Sequence, residues 1–430
     1  MAKKKATASN EPGSFSKLND FLNTIAPDGE MLDINPLAKI DEWISTGSYV
    51  LNAALSGSLF GGLPNRRSLV LAGEEGTGKT FIALSIVRNA QKMGYTPIYF
   101  DSEGSIDIDF VAKLGVDTSN LRLQPVNTVE EFSHIAAQIV DQFKEMKKKK
   151  IEPPKIMVVL DSLGNLSSIK ESEDTTKGDN KRDMTKQQAI RKLFRVNGLQ
   201  FAMLGIPFVI NNHVYDAMSM FTPKEISGGG GVKYNASIIF VLSKGKLDDA
   251  EGEKKAKAKN VDAVRVGVTI YVTPIKQRFA RPIKVQLHIP FYKKPNPFVG
   301  LEKFTSWDAC GIVRGKLHTE KTYSKLKDDE KKNCVEYYIT NKTTKEKVLH
   351  YVESRATATT LVCKHIEGEI PLGELFTEKV FTQEVLHELD EKVIKPTFML
   401  PSIESLEDLA EITQELEIDD EGNTEEENQD

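Results

Sequence analysis

Cysteine is scarce in this chain: Cys310, Cys334 and Cys363 are the only three in 430 residues. They are widely separated and show no metal-ligand spacing. That argues against a disulfide-stapled secreted scaffold and a thiolate metal centre, and the expectation is reduced, buried thiols in a cytosolic protein. No apolar run approaches the roughly 20 residues of a membrane-spanning helix. The basic start Met1-Ala2-Lys3-Lys4-Lys5 is not followed by the apolar stretch of a secretory signal. A cytoplasmic protein without a membrane partner is therefore expected. Lysine and arginine are missing from Ile403 to Asp430, where 13 acids stand. The whole chain carries −5, so the rest carries about +8. A basic body with an acidic tail suits a polyanion-binding surface and a segment able to compete for it, the alternative being an inert solvated tail.

Glycine, by contrast, is concentrated where it matters. Gly73-Glu74-Glu75-Gly76-Thr77-Gly78-Lys79-Thr80 fits GxxxxGK[ST] at every fixed position. Such glycines let backbone N–H groups converge on phosphate oxygens. Lys79 is placed to neutralise β- and γ-phosphate charge, and the Thr80 hydroxyl to complete a Mg²⁺ shell. Ser68-Leu69-Val70-Leu71-Ala72 before it predicts a buried strand, and Phe81 to Met93 after it an amphipathic helix. The helix N-terminus adds partial positive charge at the same point.

A nucleotide site of this kind needs carboxylates. Asp161 follows the apolar run Ile156-Met157-Val158-Val159-Leu160, where the carboxyl end of a buried strand opens into a crevice. Its expected role is to hold Mg²⁺ through water or Thr80. Asp101 and Glu103 end the short strand Pro97 to Phe100, with Glu103 the expected base for an attacking water and Asp101 its support. His213 follows Ile210-Asn211-Asn212 at another strand end, a position from which it could sense the γ-phosphate. Two polar stretches read as mobile loops at the same sheet edge. Ser168 to Lys186 carries Lys170, Lys177, Lys181, Arg182 and Lys186, and Val214 to Lys233 carries Gly228 to Gly231. Lysine-rich and glycine-rich loops beside a nucleotide suit coupling to a polyanion.

The wider pattern alternates strands and helices from Leu69 to about Ile289, with Val129 to Met146 and Thr185 to Leu204 helical. Val264 to Val272 and Ile283 to Ile289 read as half-buried strands of a hairpin. The predicted class is α/β, a mostly parallel sheet with an antiparallel extension. Lys244 to Lys259 reads as an exposed charged insertion. The expected units are an arm over 1–35 with a short helix around Phe21, a core over 36–299, a small mixed domain over 300–401, and a disordered acidic tail over 402–430.

From about Ile44 to Pro290 the chain resembles the RecA superfamily of strand-exchange recombinases, and within it the UvsX type of tailed bacteriophages. The resemblance is carried by Ile44-Ser45-Thr46-Gly47-Ser48, Gly61-Gly62-Leu63-Pro64, Tyr99-Phe100-Asp101-Ser102-Glu103-Gly104, Leu160-Asp161-Ser162-Leu163-Gly164-Asn165-Leu166, Asp183-Met184-Thr185, Leu193-Phe194-Arg195 and Asn212-His213. Bacterial members have Gln where His213 stands. The resemblance implies an ATP-binding core using Mg²⁺, with Glu103 as catalytic glutamate, Asp107 and Phe110 at the adenine, and His213 as the sensor of ATP state. It implies that Arg191, Gly228 and Gly229 meet the backbone of single-stranded DNA, and that the loops carrying Lys181, Arg182 and the glycine run are DNA loops. Lys276 and Arg278 match a cation pair directed at the γ-phosphate of the neighbouring subunit, where the family has two lysines. The implied protein is a DNA-dependent ATPase that forms a homo-oligomeric filament on single-stranded DNA, pairs with a homologous duplex and exchanges strands. Its implied partners are a single-stranded-DNA-binding protein and a recombination mediator, in a bacterial host cytoplasm. Two rival expectations are a ring helicase on the same core and a non-hydrolysing, ATP-switched DNA-binding accessory protein.

Overall fold

The computed structural model describes residues 39–177, 185–215, 225–249, 265–291, 296–301, 312–341, 343–354, 357–371 and 377–400, together with Phe21, Leu22, Thr24, Ile25, Asn35 and Leu37. Lys181, Arg182, Cys310, the rest of the N-terminal arm and the acidic tail lie outside the described residues.

Eight strands form the central sheet: β1 (Ser68–Gly73), β2 (Thr96–Asp101), β3 (Arg122–Pro125), β4 (Ile156–Asp161), β5 (Phe208–Asn212), β6 (Ile238–Asp249), β7 (Arg265–Lys276) and β8 (Val285–Pro290). Their spatial order is β8-β7-β6-β1-β5-β4-β2-β3. From β6 to β3 every pairing is parallel, and β7 and β8 add on antiparallel. The apolar run of β4 is sequestered on both faces because helices cover both. One face packs helix α1 (Tyr49–Ser56) and α2 (Lys79–Lys92) against Leu69, Leu71, Val159 and Val209. The other packs α3 (Val129–Lys148) and α4 (Thr185–Leu193) against Val70, Val158, Leu160 and Ile210. Every other strand residue thus serves the same layer, as the pleat requires.

Three stretches differ from the sequence expectation. The charged segment from Lys244 is strand as far as Asp249, because its backbone pairs with Arg265–Ile270 of β7 and needs no apolar side chains to do so. The supposed loop from Ser168 opens with a helix, Ile169–Lys177. The described residues of the supposed loop from Val214 are structured: Val214–Tyr215 pairs with Glu225–Ile226, and Gly229–Asn235 forms helix α5.

Beyond the core, a five-stranded antiparallel sheet runs β9 (Ile312–His318), β10 (Cys334–Thr340), β11 (Lys347–Ser354), β12 (Thr360–Cys363) and β13 (Glu369–Pro371), ordered β10-β11-β9-β12-β13. Ile339, Val352 and Val362 make its own small cluster. The chain then returns. Helix α6 (Gln383–Leu389) and the turns to Phe398 bury Val385, Leu386, Leu389, Ile394 and Phe398 in the same apolar layer as α1. Buried Asp390 secures this return by accepting from Ser58 Oγ at 2.7 Å and Leu59 N at 2.6 Å. The segment 377–398 is packed with the central sheet rather than apart from it. Among the described residues, no helix is long and apolar enough to cross a membrane.

Candidate functional site

Strand β1 ends at Gly73 and α2 begins at Lys79, so the glycine-rich motif is the turn between them. Gly76 and Gly78 have φ of 69° and 78°, the left-handed region that other residues avoid. A side chain at Gly78 would also collide with Ile289 of β8, whose Cδ1 lies 2.0 Å from where a Cβ would stand. Thr77 Oγ1 donates to Glu74 O at 2.8 Å, and Lys79 Nζ donates to Gly73 O at 2.9 Å and Glu74 O at 2.8 Å. Lys79 is buried, and desolvation lowers its pKa against the opposing pull of Asp161 and Glu103. An ammonium held this way is prepared for anionic oxygens, which would restore the charge compensation that burial removes.

Asp161 closes β4 in register with Asp101 of β2. Its Oδ2 accepts from Thr80 Oγ1 at 2.7 Å and from Tyr99 OH at 2.6 Å. Tyr99 was not foreseen as a site residue. Its signal was only that it precedes Asp101 by two and so shares its face. Burial and the adjoining carboxylate hold the Tyr99 phenol well above its usual pKa, so it is a fixed donor. Among the described residues, no group of three or more His, Cys, Asp or Glu side chains forms a metal cage. A magnesium ion fits the Thr80–Asp161 pair because Mg²⁺ favours one or two protein oxygens, substrate phosphates and water. Beside this pair stands Asn211 of β5, fully buried, with neither Oδ1 nor Nδ2 hydrogen-bonded. Such an orphaned amide costs about 1–3 kcal/mol.

Glu103 lies on the turn after β2. Asp101 Oδ1 builds this turn by accepting from Glu103 N and Gly104 N, both at 2.9 Å. Ser162 Oγ donates to Glu103 Oε1 at 2.5 Å, and His213 Nε2 lies 3.0 Å from that same oxygen and 3.1 Å from Ser162 Oγ. Ser102 Oγ and the Ser162 backbone bond each other reciprocally, each at 2.8 Å, tying the two strand ends together. The structure therefore brings Glu103, His213, Asp161, Thr80 and Lys79 to one edge of the sheet. Ser162 is a further member that sequence reasoning passed over, although it directly follows Asp161. Asp107 caps the helix Ile108–Lys113 by accepting from Phe110 N at 2.8 Å, and Phe110 is partly exposed.

The end of β5 reaches on to the second glycine segment. Asn212 Nδ2 donates to Ser227 O at 2.8 Å, and Ser227 N donates to His213 O at 3.0 Å. Gly228 and Gly229 have φ of 83° and 55°. Arg191 of α4 packs on the following turn: a Cβ at Gly231 would lie 2.8 Å from Arg191 Cγ. The C-terminal end of α5 is held by Lys276 Nζ, which donates to Lys233 O at 3.1 Å and Tyr234 O at 2.8 Å, a favourable place for a cation. Lys276 and Arg278 do not join the cluster. Lys276 is opposite Ile239 of β6, whereas Gly73 is opposite Leu242. Three residues is about 10 Å along a strand, so the cation pair stands toward the other end of the sheet.

The RecA N-terminal domain family matches residues 30–291. The chain is 30% identical over 208 residues to the recombination and repair protein of Enterobacteria phage T4, covering 48% of this chain and 51% of that protein. It is 30% identical over 224 residues to the RecA protein of a Wolbachia of Brugia malayi, covering 51% and 58%. Against the RecA protein of Bifidobacterium breve it is 30% identical over 249 residues, covering 56% of each. The chain thus spans about half the length of the curated relatives it matches. The glycine turn with Lys79 and Thr80, the Asp161 strand end and the sheet that carries them all lie within the matched residues, and the chain belongs to the RecA family.

Proposed function

We propose that this chain is a DNA-dependent ATPase that polymerises on single-stranded DNA and exchanges strands with a homologous duplex. The observation that carries this reading is one continuous set of hydrogen bonds. Thr80–Asp161 and Glu103–Ser162–His213 share a sheet edge, and Asn212 and His213 continue from it to Ser227 and the glycine helix. The names of relatives in phage T4 and bacteria agree with it.

In this reading the backbone from Gly73 to Gly78 cradles the phosphates of ATP, and Lys79 turns from its carbonyl acceptors to them. Thr80 and Asp161 would hold Mg²⁺, which would neutralise phosphate charge. Glu103 orients water and accepts its proton, kept in place by Ser162, His213 and the Asp101 turn. Asp107 and Phe110 border the base. A change at His213 passes through its carbonyl and Asn212 to Ser227, and so to Gly228, Gly229 and Arg191 on the DNA side; Lys181 and Arg182 are proposed as further DNA contacts. Lys276 and Arg278, remote from their own glycine turn, serve the triphosphate of the adjoining protomer, so turnover requires assembly. Exposed Phe21 and Ile25 fit an arm that docks on that neighbour, and the acidic tail competes with DNA. A single-stranded-DNA-binding protein and a loader are the expected helpers.

Phosphate release measured with and without single-stranded DNA tests the activity, and strong stimulation is expected. Mixing Lys79→Ala with Lys276→Ala chains tests the shared site. Each is inactive alone, and the mixture recovers activity at hybrid interfaces that pair an intact turn with an intact cation. No recovery would place Lys276 outside the active site. Closed rings seen by electron microscopy on single-stranded DNA would favour a helicase.

A further inference from the structure

We propose that Asn211 is a positioning residue for the metal-bound nucleotide: its carboxamide finds its hydrogen-bond partners only when Thr80 and Asp161 hold a loaded metal–phosphate group. The inference rests on the nucleotide-binding reading above and deepens it.

The argument begins with burial. Asn211 is completely inaccessible, and both polar atoms of its side chain lack a partner. Its neighbour Asn212 satisfies its own amide through Ser227 O and its carbonyl through His213 N. The asymmetry between adjacent asparagines is therefore not a matter of residue type. Position in the sheet says where the orphaned amide points. Val209, two residues earlier, packs in the layer that contains α2. Strand alternation gives Asn211 the same face. On β1, Asn211 is opposite Leu71, two residues before Gly73. On β4, the register Leu160 to Ile210 places Asp161 beside Asn211. Asp161 and Tyr99 use this same face to meet Thr80 at the start of α2. The amide is thus directed at the floor of the glycine turn, between the carboxylate and the β1 end.

An apolar residue would suit this strand position better in the unloaded fold. Val209 and Ile210 directly before it are fully buried and apolar. The backbone carbonyl of Asn211 is already used, accepting from Leu163 N at 2.9 Å. What remains is an amide with one donor group and one acceptor beside a carboxylate, a hydroxyl and a lysine. That set matches the needs of metal-bound water, which donates to a carbonyl oxygen, and of a phosphate oxygen, which accepts from N–H. Asn211 would fix these groups without being a metal ligand itself.

Full-length Asn211→Leu, apolar with the same side-chain branching, and Asn211→Val, apolar with one heavy atom fewer, test this. The measurement is affinity for a fluorescent ATP analogue, with and without Mg²⁺ and without DNA, alongside thermal unfolding of the unloaded protein. The expected result is an unchanged or raised unfolding temperature, unchanged metal-free affinity, and about a tenfold loss of the tightening that Mg²⁺ gives. Intact Mg²⁺ tightening in a folded variant would overturn the proposal, making Asn211 a tolerated orphan or the host of a resident water. A marked fall in unfolding temperature in both variants would also overturn it, because the amide would then already be bonded in the unloaded fold. If wild type itself shows no Mg²⁺-dependent nucleotide binding, the nucleotide reading fails first, and Lys79→Ala beside it identifies that case.

Discussion

Two glycine-rich segments, Gly73–Gly78 and Gly228–Gly231, meet the same sheet edge and use glycine for different reasons. In the first, positive φ at Gly76 and Gly78 bends the backbone into an open turn that Lys79 ties together. In the second, positive φ is confined to Gly228 and Gly229, and the run then continues as the helix Gly229–Asn235. There the missing side chain of Gly231 makes room for Arg191. Glycine density reports that side chains are excluded. Whether a ligand or a neighbouring residue excludes them is a property of the packed fold.

The comparison is broken most severely at Lys79. Lys79→Ala leaves phosphate charge without its buried partner, and at least about a 100-fold loss of nucleotide affinity is expected in a fluorescent-nucleotide titration. Retained affinity would remove the first segment from phosphate binding. Glu103→Gln is expected to keep nucleotide and DNA binding while slowing phosphate release by about 100-fold or more. Equal rates would transfer the base to another group.

The second segment is tested by Gly231→Ala against Gly229→Ala. At Gly231 the new methyl meets Arg191 Cγ at 2.8 Å and its backbone N at 3.4 Å, whereas Gly229 has open space and only a strained φ. Gly231→Ala should cost about 1–3 kcal/mol of stability and weaken single-stranded DNA binding. Gly229→Ala should cost about 1 kcal/mol. Thermal unfolding and DNA anisotropy read both, and equal effects would dissolve the contrast between packing and conformation.

The smallest expected effect is at Tyr99. Its folded pKa is raised above the ordinary 10.0, so its contribution to stability is complete below about pH 10 and is lost as pH rises toward the folded value. Tyr99→Phe removes the ionisable group and should flatten the decline of unfolding temperature between about pH 9 and 11. An unchanged slope would mean other groups govern the alkaline limb.

Much of the core was legible because its signals are local. The run Ile156–Leu160 is apolar throughout since β4 is covered on both faces, and the spacing from Gly73 to Thr80 is that of one turn and one helix start. Asp101, Asp161 and His213 were placed at strand ends for the same reason. Less legible were partners distant in sequence: Tyr99 with Asp161, Ser162 with Glu103, and Lys276 with the end of α5. The charged residues Lys244–Asp249 misled because backbone pairing, not side-chain polarity, makes that ribbon. The return of Asp390 to Ser58 and Leu59 spans more than 330 residues and leaves no periodic trace.

The sequence by itself determined the glycine turn, the buried parallel strands and the family, because steric limits on glycine and the burial of apolar runs act between near neighbours. Only the tertiary structure decided that Asn211 is buried without a partner, that the second glycine run is a helix against Arg191, and that Lys276 and Arg278 stand away from the first glycine turn. Those facts depend on which strands become neighbours and in what register, and register is set by the packing of the whole sheet.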